Sequence, residues 1–320
     1  MKSLFDSPVI DKVFVSEFPM GTNKNLTMAG LRSLFQSIYG LRNLDITVSC
    51  DFMGDFREVL LCNIVCNGRH YTPSWAPGHP MADMVRGNRF LINGVKVPAG
   101  VGSIYTAYRL FSKEIVDELG GQGDEIRFSS VKSCPKPGGK QINSQIIVGL
   151  HPFTSLKWRE WPLARWCQLA EHIIASGWRV CIFTSADRQV EAEEIRFRNG
   201  GAPALVCVPF WKLGNEIEKV QLFVGMDSLG VHLASLKGVK TVMINGPTVP
   251  NMWLPEDGVG VWNSGGCDKY PCMNTPSCLG KKDEVACIRV ISVDEVFAKM
   301  KEILNVRATQ ERVILDQTAR

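Results

Sequence analysis

Three short stretches gather residue types that bind anions. In "GMDSLGVHLA", Asp227, Ser228 and His232 crowd into one turn directly after the apolar run "QLFV". A hydroxyl and the unpaired amides of a helix start would offer donors to a diphosphate there, with the imidazole one turn further on. "HPFTSLKWREWP" holds Thr154, Ser155, Lys157 and Arg159 between a second apolar run and a proline that opens a helix. Two hydroxyls and two cations again suit phosphate. "INGPT" closes a third run with a tight turn at Gly246 and Pro247, and is expected to expose the Thr248 hydroxyl. Singly, each has a plainer reading: Asp227 or Ser228 as a helix N-cap, His232 as a satisfied core histidine, Thr154 to Arg159 as a polar surface loop. Recurrence at three strand ends favours a shared anion site.

A fourth cluster has a different chemistry. Cys267, Cys272, Cys278 and Cys287 fall within 21 residues, separated by four, five and eight others. Four thiolates suit tetrahedral zinc or iron, although the spacing lacks the Cys-x-x-Cys knuckles of a zinc ribbon. The sequence leaves a structural metal open beside two disulfides or free thiols. The other seven cysteines, Cys167 and Cys181 among them, are scattered singly through apolar segments, where a thiol serves as a small hydrophobe.

The elements that must position these residues are legible in the second half. "QIIVGLHP", "WRVCIFTS", "ALVCVPF", "QLFVGMDS" and "VKTVMING" are short, nearly all-apolar runs, the pattern of strands covered on both faces of a parallel sheet. "WPLARWCQLAEHIIASG" places Trp166, Leu169, Ala170, Ile173 and Ile174 at helical spacing, and "DRQVEAEEIRFRNG" and "GNEIEKV" are polar enough for surface helices. This alternation predicts a doubly wound α/β domain over residues 145–320, ending in the helix "SVDEVFAKMKEIL". Residues 1–140 read as a second α/β domain, with strands at "DKVFVSEFP" and "LDITVSCD" and a helix carrying Leu31, Phe35 and Ile38. Residues 72–106, rich in Pro, Gly and aromatics, read as loops over a cleft, and 133–144 as the linker.

Composition excludes several classes. The 36 basic and 32 acidic residues are interspersed, so the net charge of +4 gives no stripe for nucleic acid. Asp6 and Asp11 interrupt any signal-peptide core, and no apolar run reaches the ~18 residues of a membrane span. The expectation is a cytoplasmic protein, with peripheral membrane contact left open.

The order "TS..K.R.WP", "DS...HLA", "GPT" and a late cysteine cluster resembles glycosyltransferase family 9, the ADP-heptose heptosyltransferases of bacterial lipopolysaccharide synthesis and their relatives. The likeness spans residues 146 to about 300. It implies a GT-B fold, two Rossmann-like doubly wound α/β domains facing across a cleft, with the acceptor on the first and the sugar nucleotide on the second. The implied activity is inverting transfer of a sugar, heptose by resemblance, to a hydroxyl of lipopolysaccharide or another glycan, lipid-linked or protein acceptor, with no cofactor needed for the chemistry. Thr154, Ser155 and Arg159 fall on the family's diphosphate-binding hydroxyls and cation, and Asp227, Ser228 and His232 on its "D-[ST]-G-x-x-H-L-A" motif. Leu229 stands at the motif's glycine, with Gly230 one place later. A carboxylate that reaches the nucleoside in the family corresponds to Asp187 or Glu191. Matching on "AGLRSLF" sets Asn23 at the family's general base, where an amide cannot accept a proton; Glu17 nearby reads as a solvated strand residue. A sugar-nucleotide-binding protein that has lost its base, a metal-stapled structural module, and another nucleotide-sugar enzyme such as an epimerase are the alternatives.

Overall fold

A computed structural model of the chain describes residues 28–48, 62, 64–79, 82, 94–120, 145–249, 251–273 and 276–304. Asn23, Glu17, the strand expected at "DKVFVSEFP" and the linker at 133–144 lie outside them. The chain divides into two compact units, Met1–Ile126 and Arg127–Arg320.

In the first unit, helix α1 (Met28–Leu41) precedes strands β1 (Leu44–Val48), β2 (Cys66–Trp75) and β3 (Gly94–Val97), then helix α2 (Ile104–Glu118). The strands form a parallel sheet in the order β1-β2-β3. Ser103 caps α2 by accepting from the Tyr105 amide, and Ala107, Phe111 and Ile115 of that helix are buried. On α1, Phe35 is 66% exposed. The loop reading of 72–106 is corrected here: Thr72–Trp75 completes β2, Gly94–Val97 is β3, and α2 starts at Ile104. What misled was polarity and proline inside a strand. His70 and Thr72 are buried in β2. Pro73 lies beyond the segment that pairs with β1, so its missing N–H breaks no bond to that neighbour.

The second unit is built on six parallel strands: β4 (Ile147–His151), β5 (Arg179–Thr184), β6 (Ala204–Cys207), β7 (Leu222–Met226), β8 (Lys240–Asn245) and β9 (Gly258–Trp262), in the order β6-β5-β4-β7-β8-β9. All five expected runs are strands. β9 escaped notice because two glycines in five residues suppress any strand signal. Between strands lie α3 (Leu163–Ala175), α4 (Gln189–Arg198), α5 (Phe210–Ile217) and α6 (Leu229–Leu236); α7 (Ala286–Arg289) and α8 (293–304) follow the sheet. Ser292 and Glu295 close α8 with a capping box, each side chain bonding to the other's amide.

The sheet buries both faces, which is why its strands are apolar throughout. Val148, Leu150, Val224 and Val242 pack with Trp166, Leu169 and Ile173 of α3 on one face. Phe183, Phe223 and Met243 pack with Ile217 and Val231 on the other. Leu169 and Ile173 are fully buried, each contributing about 1.5–3 kcal/mol.

Candidate functional site

Because every strand of the second sheet runs the same way, the loops after β4, β5, β7 and β8 emerge at one edge. The chain starts in the middle, at β4, then adds β5 and β6 on one side and β7, β8 and β9 on the other. Between β4 and β7 the winding reverses, the place where the loops of an open α/β sheet form a ligand crevice.

One carboxylate organises that crevice. Asp227, just past β7, receives the Arg159 guanidinium at 2.8 Å on Oδ2. The Thr248 hydroxyl stands 2.8 Å from the same oxygen. His232 Nε2 lies 3.6 Å from Oδ1. The three sequence stretches therefore meet at a single side chain. Burial works against the Asp227 charge, but the His232 contact, the Arg159 guanidinium and the Thr248 hydroxyl outweigh it and hold the carboxyl below its ordinary range. The expectation that Thr248 exposes its hydroxyl is corrected: Thr248 is buried and lies 2.7 Å from Asn245 Oδ1 as well as against Asp227. A hydroxyl has one proton. Rotating the Asn245 amide, whose buried Nδ2 otherwise has no partner, lets Asn245 donate to Thr248 and Thr248 donate to Asp227.

Ser228 is the N-cap residue of α6, yet its side chain makes no capping hydrogen bond. Its hydroxyl lies instead 3.3 Å from Nδ1 of His151, the last residue of β4. The amides that open α6 are thus left uncapped by that side chain, with the positive end of the helix dipole at the crevice. Burial pushes the His151 imidazole down to about 4, against a small opposing effect of Glu160, so the ring is neutral. Its position explains Gly230: a Cβ there would stand 2.8 Å from His151 Nδ1.

The loop after β4 is shaped from within. Thr154 donates through its hydroxyl to the Leu156 carbonyl and accepts from the Leu156 amide, so it builds the turn. Ser155 beside it is exposed. Lys157 is 80% exposed and 3.9 Å from Glu191. Asp187 is exposed in the turn after β5, its carboxyl held below its ordinary range chiefly by Ser185. Four partners escaped the sequence reading: His151, Glu160, Arg188 and Asn245. Arg188 forms a two-pronged bond to Glu160 at 2.7 and 2.8 Å. No periodicity joins positions 160 and 188, so only the fold brings them together.

Gly246 and Pro247 are buried. A Cβ at Gly246 would lie 2.4 Å from Ile288 of α7, and the Met273 amide donates to the Pro247 carbonyl at 2.8 Å. These contacts come from the cysteine-rich segment. Cys267, Cys272, Cys278 and Cys287 line one small cavity, together with Trp158 and Pro247. Burial, and then the neighbouring thiols, push Cys287 up to about 11. All four are free. Among the described residues no group of three or more Cys, His, Asp or Glu side chains is arranged to hold an ion. The long spacings let each cysteine follow its own turn, and Cys287 is fixed on α7.

These features define a doubly wound α/β unit with a cluster of polar and charged side chains at its reversal point. Residues 121–282 match glycosyltransferase family 9 (heptosyltransferase), half of the chain, and the chain belongs to that family. Its fold is that of the Escherichia coli heptosyltransferase WaaC solved with ADP-2-deoxy-2-fluoro heptose: TM-score 0.62 at 12% identity, over 86% of this chain and 78% of that one. The E. coli enzyme solved with ADP gives a TM-score of 0.59 at 14% identity, over 87% and 79%. A family 9 glycosyltransferase from Veillonella parvula gives 0.57 at 15% identity, over 87% and 78%. The architecture is thus GT-B. No curated protein sequence matches the chain. No helix among the described residues is long and apolar enough to cross a membrane.

Proposed function

We propose that the protein transfers a sugar, with inversion, from a nucleotide-diphosphate sugar to an acceptor hydroxyl. The observation that carries this reading is the convergence of Arg159, Thr248 and His232 on Asp227, beside the uncapped start of α6. The diphosphate lies in that crevice. Arg159, held by Asp227, and the first amides of α6 stabilise the charge that develops on the leaving diphosphate, with Ser155 and Ser228 as hydroxyl donors. His232 orients or donates to the phosphates. Thr248, Gly246 and Pro247 act behind Asp227, and the nucleoside extends toward Asp187. Arg159 and the helix start supply the positive charge, so the reading assigns no metal to the chemistry. The first unit takes the acceptor, which is a glycan, lipid-linked or protein hydroxyl, and the reaction is placed in the cytoplasm. ADP-heptose is the proposed donor, since the E. coli neighbour was solved with an ADP-heptose analogue.

The amide of Asn23 at the family's base position favours a second reading, in which the donor binds without transfer. A thermal-shift panel of nucleotide sugars, followed by product analysis, separates the two, because a ligand that binds only the native state raises the midpoint. Arg159→Ala should weaken ADP-sugar binding by the loss of a charged hydrogen bond, about 1.5–3 kcal/mol, with His232→Ala weakening it in the same direction. Parent-like affinity in both variants would overturn the assignment of the crevice.

A further inference from the structure

The loop 152–160 is fastened on two sides. Toward β7, Arg159 binds Asp227. Toward β5, the next residue, Glu160, is gripped by Arg188 through both carboxylate oxygens, at 2.7 and 2.8 Å. Adjacent side chains therefore pull in opposite directions across the central strand β4. The Glu160 end also reaches back: its Oε1 accepts the Thr154 amide at 3.0 Å, closing the loop from residue 154 to residue 160. Arg188 lies over the Phe153 ring at 4.5 Å and donates through Nε to Glu191 at 3.0 Å. Arg188 and Glu160 side chains are only 16% and 12% exposed, so the pair is weakly screened and its geometry is closely fixed.

We infer that Arg188 is a positioning residue for the donor site: acting through Glu160, it holds the loop 152–160 in the shape that aims Arg159 and Ser155 at the diphosphate. The inference rests on the donor reading above. Without Arg188, Glu160 is left half-buried without its guanidinium partner and turns toward water. The Thr154 amide then loses its acceptor, and the Arg159 backbone loses the anchor beside it. The arginines of α4 have no such reach; Arg196 pairs with Glu193 and Arg198 with Glu194 on the helix surface.

The test is a double-mutant cycle on the full chain, with ADP as probe and amide hydrogen exchange as a ligand-free readout. Arg188→Ala and Glu160→Ala should each weaken ADP binding tenfold or more. The double variant should be no weaker than either single one, because both remove the same fastening. Thr154 amide exchange should rise at least tenfold in each variant, while the amides of α3 keep their protection. Arg196→Ala should bind ADP as the parent does. Arg188 would instead touch the donor directly if Glu160→Ala left ADP affinity intact while Arg188→Ala lost it, and that result overturns the inference. So does unchanged Thr154 exchange in Arg188→Ala. If the parent itself fails to bind ADP, the donor reading fails and the positioning role falls with it, even where the exchange result confirms the fastening.

Discussion

Lowering the pH should destabilise the second unit through His151 in a window where the Asp227 network is still intact. The ring is buried against Gly230 and Phe223 and stays neutral, with its folded pKa near 4; unfolded, it titrates near 6.5. Between these values the unfolded chain binds the extra proton, so stability rises with pH and is lost as pH falls from about 6.5 to about 4. Worked from those two pKa values, going from pH 7.5 to pH 5 removes about 2 kcal/mol on account of this imidazole alone. Asp227 contributes nothing in that interval, since its carboxyl is held below its ordinary range and titrates only at lower pH. The assay is urea unfolding at the two pH values followed by tryptophan emission. Seven of the eight tryptophans lie in the second unit, so emission reports mainly on it. His70, also depressed by burial, belongs to the first unit. His151→Asn keeps a polar group near Nδ1 and cannot titrate, so its stability should change less than the parent's by about 2 kcal/mol over the same interval. Equal pH dependence in parent and variant would refute a buried, neutral His151.

Three further outcomes are expected. Gly230→Ala puts a methyl 2.8 Å from His151 Nδ1; overpacking against a rigid ring should cost about 1–3 kcal/mol in urea unfolding and weaken ADP binding. Thr248→Val removes a hydroxyl from the Asp227 carboxylate, which should cost about 1.5–3 kcal/mol at pH 7. The Asp227 carboxyl then titrates closer to its unfolded value, so the stability lost on acidification is smaller in the variant than in the parent and is complete at higher pH, as a pH series of melting temperatures will register. Asn23→Asp restores a carboxylate at the family's base position and should leave folding intact while raising transfer or leaving it unchanged; a large loss in a product assay would give Asn23 a role of its own.

The second unit is largely legible in the sequence because both sheet faces are covered, which forces apolar strands and makes every strand end stand out as the first polar residue. That logic located Arg159, Asp227, Ser228, His232 and Thr248. It could not tell which polar residues face the ligand and which face each other. Thr154 and Thr248 look alike in sequence, small hydroxyl residues after a strand, yet one closes a turn on Leu156 and the other is sealed against Asp227. The first unit resisted because β2 buries His70 and Thr72 and contains Pro73, so its composition imitates a loop. His151 and the Glu160–Arg188 pair had no local signature, since an imidazole ending a strand and an ion pair spanning 28 positions acquire meaning only from packing.

The cysteine-rich segment follows from the same reasoning. Its four thiols drew attention as ligands, but its firmest contacts are with the segments that serve Asp227. Trp158, which lines the thiol cavity, precedes Arg159 in the chain, and Pro247, which also lines it, precedes Thr248. Met273 bonds to the Pro247 carbonyl, and Ile288 fills the space a side chain at position 246 would need. Arg159 and Thr248 are the two groups that lie 2.8 Å from the Asp227 carboxylate. The segment thus braces from outside both arms that meet on one carboxylate, and a buried charge whose partners must stay within hydrogen-bonding distance depends on such bracing, because an unpartnered carboxylate at that depth would take up a proton or turn outward. Three sequence motifs that read as one anion site, and a fourth that read as a possible metal site, are parts of one support for the charge at Asp227.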